Sequence, residues 1–163
     1  MDEFASFAQA RWRLLWRAAW LLTGDPQRAE DLVQGAFEQA WPHAHKLHTD
    51  DERGAYVYRV MTRLNLRSNR RRWHGEVPTE TLPEVGERTD DALTTRISVS
   101  AALDALPVRQ RTAVVLRYFA DLTEQQTAVA MGCSIGSVKT HTRRALETLR
   151  GTPLLGDLVE ETP

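Results

Sequence analysis

The chain holds a single cysteine, Cys133, in 163 residues. No internal disulfide can form, which excludes a disulfide-stapled secreted scaffold. A lone thiol beside Gly132 reads as a small packed residue rather than a redox sensor. Long apolar runs are also missing, and without 18 consecutive apolar residues no membrane insertion is expected. The most apolar early stretch, Leu14–Leu22, is broken by Arg17 and is followed by Thr23-Gly24-Asp25-Pro26. That is a helix end and a helix start, not a signal-peptide cleavage site. There is no strand-like alternation and no repeat with a period of 20–50 residues. Phosphate-cradling glycine loops, nucleophile elbows and metalloprotease motifs are absent, so enzymatic chemistry is not expected. His43, His45 and His48 come nearest to a metal set, but no cysteine or fourth ligand is near and the spacing fits no zinc pattern. No metal and no cofactor is expected.

What is present is a charge pattern hidden under a net charge of −1. Residues 1–75 carry twelve Lys/Arg against nine Asp/Glu, and residues 97–150 carry seven against four. Residues 76–96 carry two against six, and residues 151–163 carry three acidic groups and no basic one. Two mildly basic blocks are thus separated by an acidic spacer and followed by an acidic tail, so local clusters say more about partners than overall pI does.

The first block reads as three helices. Phe4, Phe7, Ala8, Leu14, Leu15, Ala18, Ala19 and Leu22 keep helical spacing, and Gly24 stops that helix. Asp25 then caps a second helix with Pro26 at its first position, where a missing N–H costs nothing. Its core side is Ala29, Leu32, Val33, Ala36, Phe37, Ala40 and Trp41, and Pro42 ends it. A polar loop, His43–Asp51, leads to a third helix from Glu52 to about Trp73, capped by Asp50 or Asp51. The third helix has an apolar side with Val60, Met61 and Leu64 and is basic in its later part. Gly75–Thr95 has the composition of a flexible linker.

The second block starts near Arg96. Ile97, Ala101, Leu103 and Leu106 suggest a short helix ending at Pro107, and Val108–Phe119 another, with Tyr118 or Phe119 in its core. Thr123 with Gln126 forms a capping box. That helix runs to Met131, Gly132 supplies a tight turn, and Ser134 caps a last helix from Ile135 to about Arg150. The pair is a helix-turn-helix. On the last helix Val138, Thr142, Ala145, Leu146 and Leu149 share one face. The other presents Ser137, Lys139, Thr140, His141, Arg143 and Arg144, side chains suited to phosphates and base edges. Ser134, at the helix N-terminus, suits a phosphate. The fold class expected is all-α, with two small helical domains joined by a flexible acidic linker. The C-terminal domain is the helix-turn-helix.

Leu106-Pro107-Val108-Arg109-Gln110-Arg111, Leu116-Arg117-Tyr118, Ser137-Val138-Lys139-Thr140 and Arg143-Arg144-Ala145 resemble domain four of bacterial sigma factors. Asp25-Pro26, Ala29-Glu30-Asp31-Leu32-Val33-Gln34, Phe37 and Ala40-Trp41 resemble the polymerase-binding helix of domain two. The resemblance covers nearly the whole chain and is to the extracytoplasmic-function (ECF) group. The linker around Glu76-Val77-Pro78 and Leu82-Pro83 is most similar to a sigma-E-like actinobacterial subgroup. It implies domain two at 1–74, a linker at 75–95, domain four at 96–150 and an acidic tail at 151–163. It also implies partners: core RNA polymerase, promoter DNA and an anti-sigma factor, all met in the cytoplasm. Glu30, Asp31, Gln34 and Glu38 would meet the polymerase. His45, Lys46, His48, Tyr58, Arg59, Arg63, Arg67, Asn69, Arg70, Arg71, Arg72 and Trp73 would read the minus-ten element and hold the melted strand. Ser134, Ser137, Lys139, Thr140, His141, Arg143 and Arg144 would read the minus-thirty-five element. Arg63 stands where relatives often carry Asn, and His141 where they often carry Arg or Gln, so base preferences do not transfer.

The alternative is a helix-turn-helix regulator of response-regulator type, whose output domain shares a sequence like Val138-Lys139-Thr140-His141. It needs a receiver of alternating strands and helices, and the first block has no such pattern. A module that binds proteins alone leaves six arginines on one helix, Arg59 to Arg72, without an anion to balance them.

Overall fold

The structure, a computed structural model, describes residues 2–75 and 99–151, with backbone alone for 72–75. Among the described residues every regular element is helical, and no helix is long and apolar enough to cross a membrane. Nearly all of the expected linker and tail, the helix start at Arg96 and Ile97, and the side chains of Arg72 and Trp73 lie outside the described residues.

Helix boundaries follow the local chemistry. Asp2 caps α1 (Glu3–Thr23) by accepting the Phe4 N–H, and Gly24 ends it at φ 74°, a left-handed conformation that glycine adopts without strain. Asp25 accepts from the N–H groups of Gln27 and Arg28 to start α2 (Pro26–Ala40). The chain then continues as a 3-10 turn, Trp41–Lys46, where a polar loop was expected. Pro42 is compatible with this, since it sits near the turn's start and needs no donor there. The next helix, α3 (Asp50–Gly75), begins earlier than expected. Its cap is Thr49, not Asp50 or Asp51: Thr49 Oγ1 accepts from Glu52 N at 3.1 Å, while the Glu52 carboxylate accepts from His48 N at 2.7 Å and Thr49 N at 3.4 Å. Those two bonds hold the Glu52 carboxyl below its usual pKa.

The three helices bury Leu15, Ala18, Ala19 and Leu22 against Ala29, Val33, Ala36 and Ala40, and against Val57, Val60 and Met61. The alanine-rich face of α2 lets α3 approach closely, and a Cβ on Gly35 would already touch Leu64 Cδ1 at 3.4 Å. Arg53 is buried between helix starts and pairs with Glu3 at 2.7 Å on α1 and Asp50 at 2.8 Å on α3. Trp41, expected in the core, is 52% exposed. It lies past the end of α2, where the 3-10 turn changes the rotation per residue and swings its ring to the rim.

In the second unit a short helix, α4 (residues 99–104), precedes α5 (Val108–Val114), which widens into a π turn, Val115–Phe119. The Ala120 N–H bonds to Val115 O, five residues back. The widened turn keeps Val115 and Leu116 inside and carries Tyr118 and Phe119 to the surface, against expectation. The capping box is formed: Thr123 Oγ1 accepts from Gln126 N and Gln126 Oε1 from Thr123 N, both at 3.0 Å, opening α6 (Glu124–Met131). Gly132 turns at φ 66°, and Ser134 caps α7 (Ile135–Arg150). Leu116, Leu122, Ala128, Met131 and Val138 form the core of the pair.

The two units pack on each other. Leu103, Leu106, Val114 and Val115 belong to the same buried cluster as α1, α2 and α3, and α6 lies against α3. This packing was not foreseen from the sequence.

Candidate nucleic-acid interface

Three polar rows stand out of the cores, on three helices. On α7, Ser134 Oγ accepts from Ser137 N and donates to Ser137 Oγ, each at 3.0 Å, so both hydroxyls stand at the helix N-terminus. Thr140 Oγ1 donates back to Gly136 O. Lys139 and Arg143 point into solvent and are held only loosely, by Glu124 at 3.7 Å and Glu147 at 3.4 Å. Both line a groove that also includes Arg117, Tyr118, Leu146 and Arg150. Arg144 is exposed, and His141 is half-buried. Burial, with Arg109 and Arg144 nearby, pushes the His141 pKa below its usual value, so its ring is neutral at pH 7.

On α3, the arginines at positions 59, 63, 67, 70 and 71 recur at helical spacing, and Arg63, Arg67, Arg70 and Arg71 are exposed. Asn69 is half-buried. Arg59 is half-buried too, and its Nε has no hydrogen-bond partner among the described residues. Tyr58 is different: it is largely covered, and desolvation pushes its hydroxyl pKa up to about 12. His45, Lys46 and His48 are exposed on the 3-10 turn and its exit. A cleft of about 420 Å³ there is lined by Phe4, Trp41, His45, His48 and Arg53.

On α2, Glu30, Asp31, Gln34 and Glu38 are all exposed. Gln27 donates to Asp31 at 3.2 Å and Gln34 to Glu30 at 3.4 Å, so the row is ordered one turn to the next. Glu30 and Gln34 are continued at helical spacing by Phe37 and Trp41. Trp12 stacks on Phe37 with ring centroids 5.9 Å apart, and Phe4 meets Trp41 edge-on at 5.6 Å. Sequence reasoning assigned Phe37 and Trp41 to the core; Phe37, half-buried, does pack against it, while the exposed Trp41 at the end of the row was missed. The pairing of Glu30 with Gln34 four residues apart, extended to 37 and 41, was the available signal.

The chain matches the model for Sigma-70 region 2 over residues 7–75 and that for Sigma-70, region 4 over residues 96–149. It belongs to the sigma-70 family of RNA polymerase sigma factors, in the ECF group. It is similar to the RNA polymerase sigma-E factor of Streptomyces coelicolor, 35% identical over 159 residues, which cover 96% of this chain and 89% of that one. It is also 30% identical to the ECF RNA polymerase sigma factor SigE of Mycolicibacterium smegmatis, over 83% of this chain and 56% of that one. Two solved structures share the fold. The sigma factor RpoE of Bartonella quintana, in complex with the anti-sigma factor NepR, aligns with a TM-score of 0.67 at 22% identity, over 93% of this chain and 97% of that one. CnrH, in complex with the cytosolic domain of CnrY, aligns with a TM-score of 0.63 at 19% identity, over 98% and 89%.

Proposed function

We propose that this ECF sigma factor joins core RNA polymerase through α2 and holds a promoter at two places, through α3 and α7. On α2, Glu30, Asp31, Gln34 and Glu38 make the polar contact with a helical surface of the polymerase, and Phe37 and Trp41 extend it. On α3 and the turn before it, the exposed arginines track the non-template phosphates, while His45, Lys46, His48 and Tyr58 meet unpaired bases of the minus-ten element. Arg72 and Trp73 are assigned to the same strand contact. On α7, Ser134, Ser137 and Arg144 take phosphates. Lys139 and Arg143 take phosphates beside them, and Thr140 and His141 face base edges of the minus-thirty-five element in the major groove. Domain two is assigned to residues 1–74 and domain four to 96–150. The chain itself makes and breaks no bond; the polymerase does. Its place of work is the cytoplasm, and an anti-sigma factor is its natural inhibitor.

The observation that carries this reading is the outward projection of three separate polar rows from helices that otherwise bury alanine and branched apolar side chains. The response-regulator alternative is not favoured, since the described part of the first unit has no strand and matches region 2. Run-off transcription with core polymerase and a promoter library tests the proposal. Promoter-specific transcripts are expected, and Asp31→Ala with Gln34→Ala should abolish them by removing polymerase binding. A chain that does not bind core polymerase would refute it.

A further inference from the structure

We infer that the helix-turn-helix has a second task in the chain free of polymerase: its first helix and turn cover the strand-holding helix α3 and keep Tyr58 away from bases. This rests on the role given to α3 above. The turn Asp121-Leu122 and helix α6 lie against the first half of α3. Tyr58 packs against the buried clusters of both units at once. Asp121 sits at φ 55°, the one non-glycine residue with positive φ among those described, in a left-handed conformation that Asp adopts more readily than most residues. A cleft of about 430 Å³ remains between the units, lined by Leu14 and Tyr58 on one side and Phe119, Leu122 and Gln126 on the other.

A polar contact fastens the cover. Helix α1 ends with no basic residue in its last turn, and its final carbonyls lack partners within the helix. Arg111 of the second unit fills that role: its Nε donates to Leu21 O at 2.5 Å, and its guanidinium pairs with Asp104 at 2.6 Å. Asp104 in turn rests against Gly24, where a Cβ would come within 2.7 Å of its carboxylate. The cation therefore joins the negative end of one unit's helix to the other unit.

The cover is selective. Glu30, Asp31, Gln34 and Glu38 stay exposed, as do Arg63, Arg67, Arg70 and Arg71. Polymerase can dock before the units part, and it opens them only so far as it binds the open form more tightly. If the open form is about a tenth of the free chain, strand affinity is reduced about tenfold.

The test uses the full chain without polymerase. Leu14→Glu puts a carboxylate against apolar Phe119 and Leu122 in a cleft that Asp50, Asp51 and Asp121 line with Arg11 as its one cation, at a side chain 48% exposed, so the core of the first unit is spared. Arg111→Gln removes the fastening. Binding of a fluorescein-labelled mixed-sequence single strand is read by anisotropy, and the radius of gyration by small-angle scattering. Both variants should expand the chain and tighten strand binding about tenfold, and adding Tyr58→Ala to Leu14→Glu should remove most of that gain. Should Arg111→Gln fail to fold, Leu14→Glu decides. Unchanged scattering and affinity in Leu14→Glu, or a wild-type chain already expanded, would overturn the cover. An expanded Leu14→Glu chain with no gain in strand binding would overturn its purpose. Pull-down with core polymerase is scored separately: its failure sinks the functional reading while the scattering comparison still decides whether the units are closed.

Discussion

Replacing Lys139 and Arg143 together by Ala tests whether α7 faces DNA, and the expected size follows from their surroundings. Both side chains are about two-thirds exposed, and their carboxylate partners stand at 3.7 and 3.4 Å. Exposed pairs of this kind contribute about 0–1 kcal/mol each, so the double variant should melt within a few degrees of wild type. On DNA the two cations act differently. Each phosphate neutralised adds about 0.9 to the slope of log affinity against log salt, so two lost contacts lower the slope by about 1.8. Between roughly 50 and 200 mM salt, wild-type holoenzyme should then lose about twelvefold more affinity than the variant holoenzyme. The assay is anisotropy on a duplex bearing the upstream promoter element, at four or more salt concentrations. A variant that binds more weakly at every salt but keeps the wild-type slope would refute the placement of these two cations at phosphates. An unchanged affinity would remove α7 from the interface altogether.

Arg53→Ala should cost about 1.5–3 kcal/mol, because a buried guanidinium loses two charge-assisted bonds, one across to Glu3 of α1 and one to Asp50 within α3. Arg53→Lys should not restore it, having no fork to reach both carboxylates; urea midpoints measure both, and wild-type midpoints would mean the pairs are idle. Thr49→Ala should cost about 1 kcal/mol by uncapping α3, read as a lowered midpoint with an unchanged denaturant slope. His141 is held below its ordinary pKa of about 6.5 by burial, Arg109 and Arg144, so the unfolded chain protonates first as pH falls. Its contribution to stability is therefore whole above about pH 6.5 and is lost as pH drops from there through the folded pKa. His141→Gln should flatten that part of the stability profile between pH 7.5 and 5.5; an identical profile in the variant would show that the ring does not titrate on folding.

Helix punctuation was legible because its causes are local. Gly24-Asp25-Pro26, Thr123 with Gln126, and Gly132 before Ser134 each act through bonds spanning a few residues, and each forms where expected. The Thr49–Glu52 box was equally local, but Asp50 and Asp51 offered rival caps and hid it. The aromatic positions failed for another reason. Trp41 and Phe119 keep apolar spacing, yet each lies where a helix changes its pitch, and the face they take depends on a backbone change that periodicity does not encode. The polar rows were easy to place, since carboxylates and guanidinium groups rarely bury. The docking of the second unit on α1 and α3 was beyond reach, because it joins residues about 90 apart, as Leu21 and Arg111 are, and nothing near either position announces the other.

Positive charge alone cannot make α3 a strand-opening helix. Phosphates are present in the paired and unpaired states alike, so Arg63, Arg67, Arg70 and Arg71 raise affinity for both. Only groups that bind the open strand better than the duplex shift the balance. Each base-pair step opened costs about 1.4 kcal/mol, and a base stacked on an aromatic ring returns about 1–3 kcal/mol. One or two captured bases can therefore offset the opening of only a few pairs, and every base-holding group counts. Around α3 those groups are few: His45 and His48 on the turn before it and Tyr58 on the helix itself, with Trp73 assigned beside them. Covering Tyr58 in the free chain withholds one of the few contacts that distinguish melted DNA from duplex, while leaving the nonspecific cations exposed. The cover therefore acts on opening rather than on encounter, and removing it should raise single-strand affinity far more than duplex affinity; equal gains on the two would show that the contact merely screens charge.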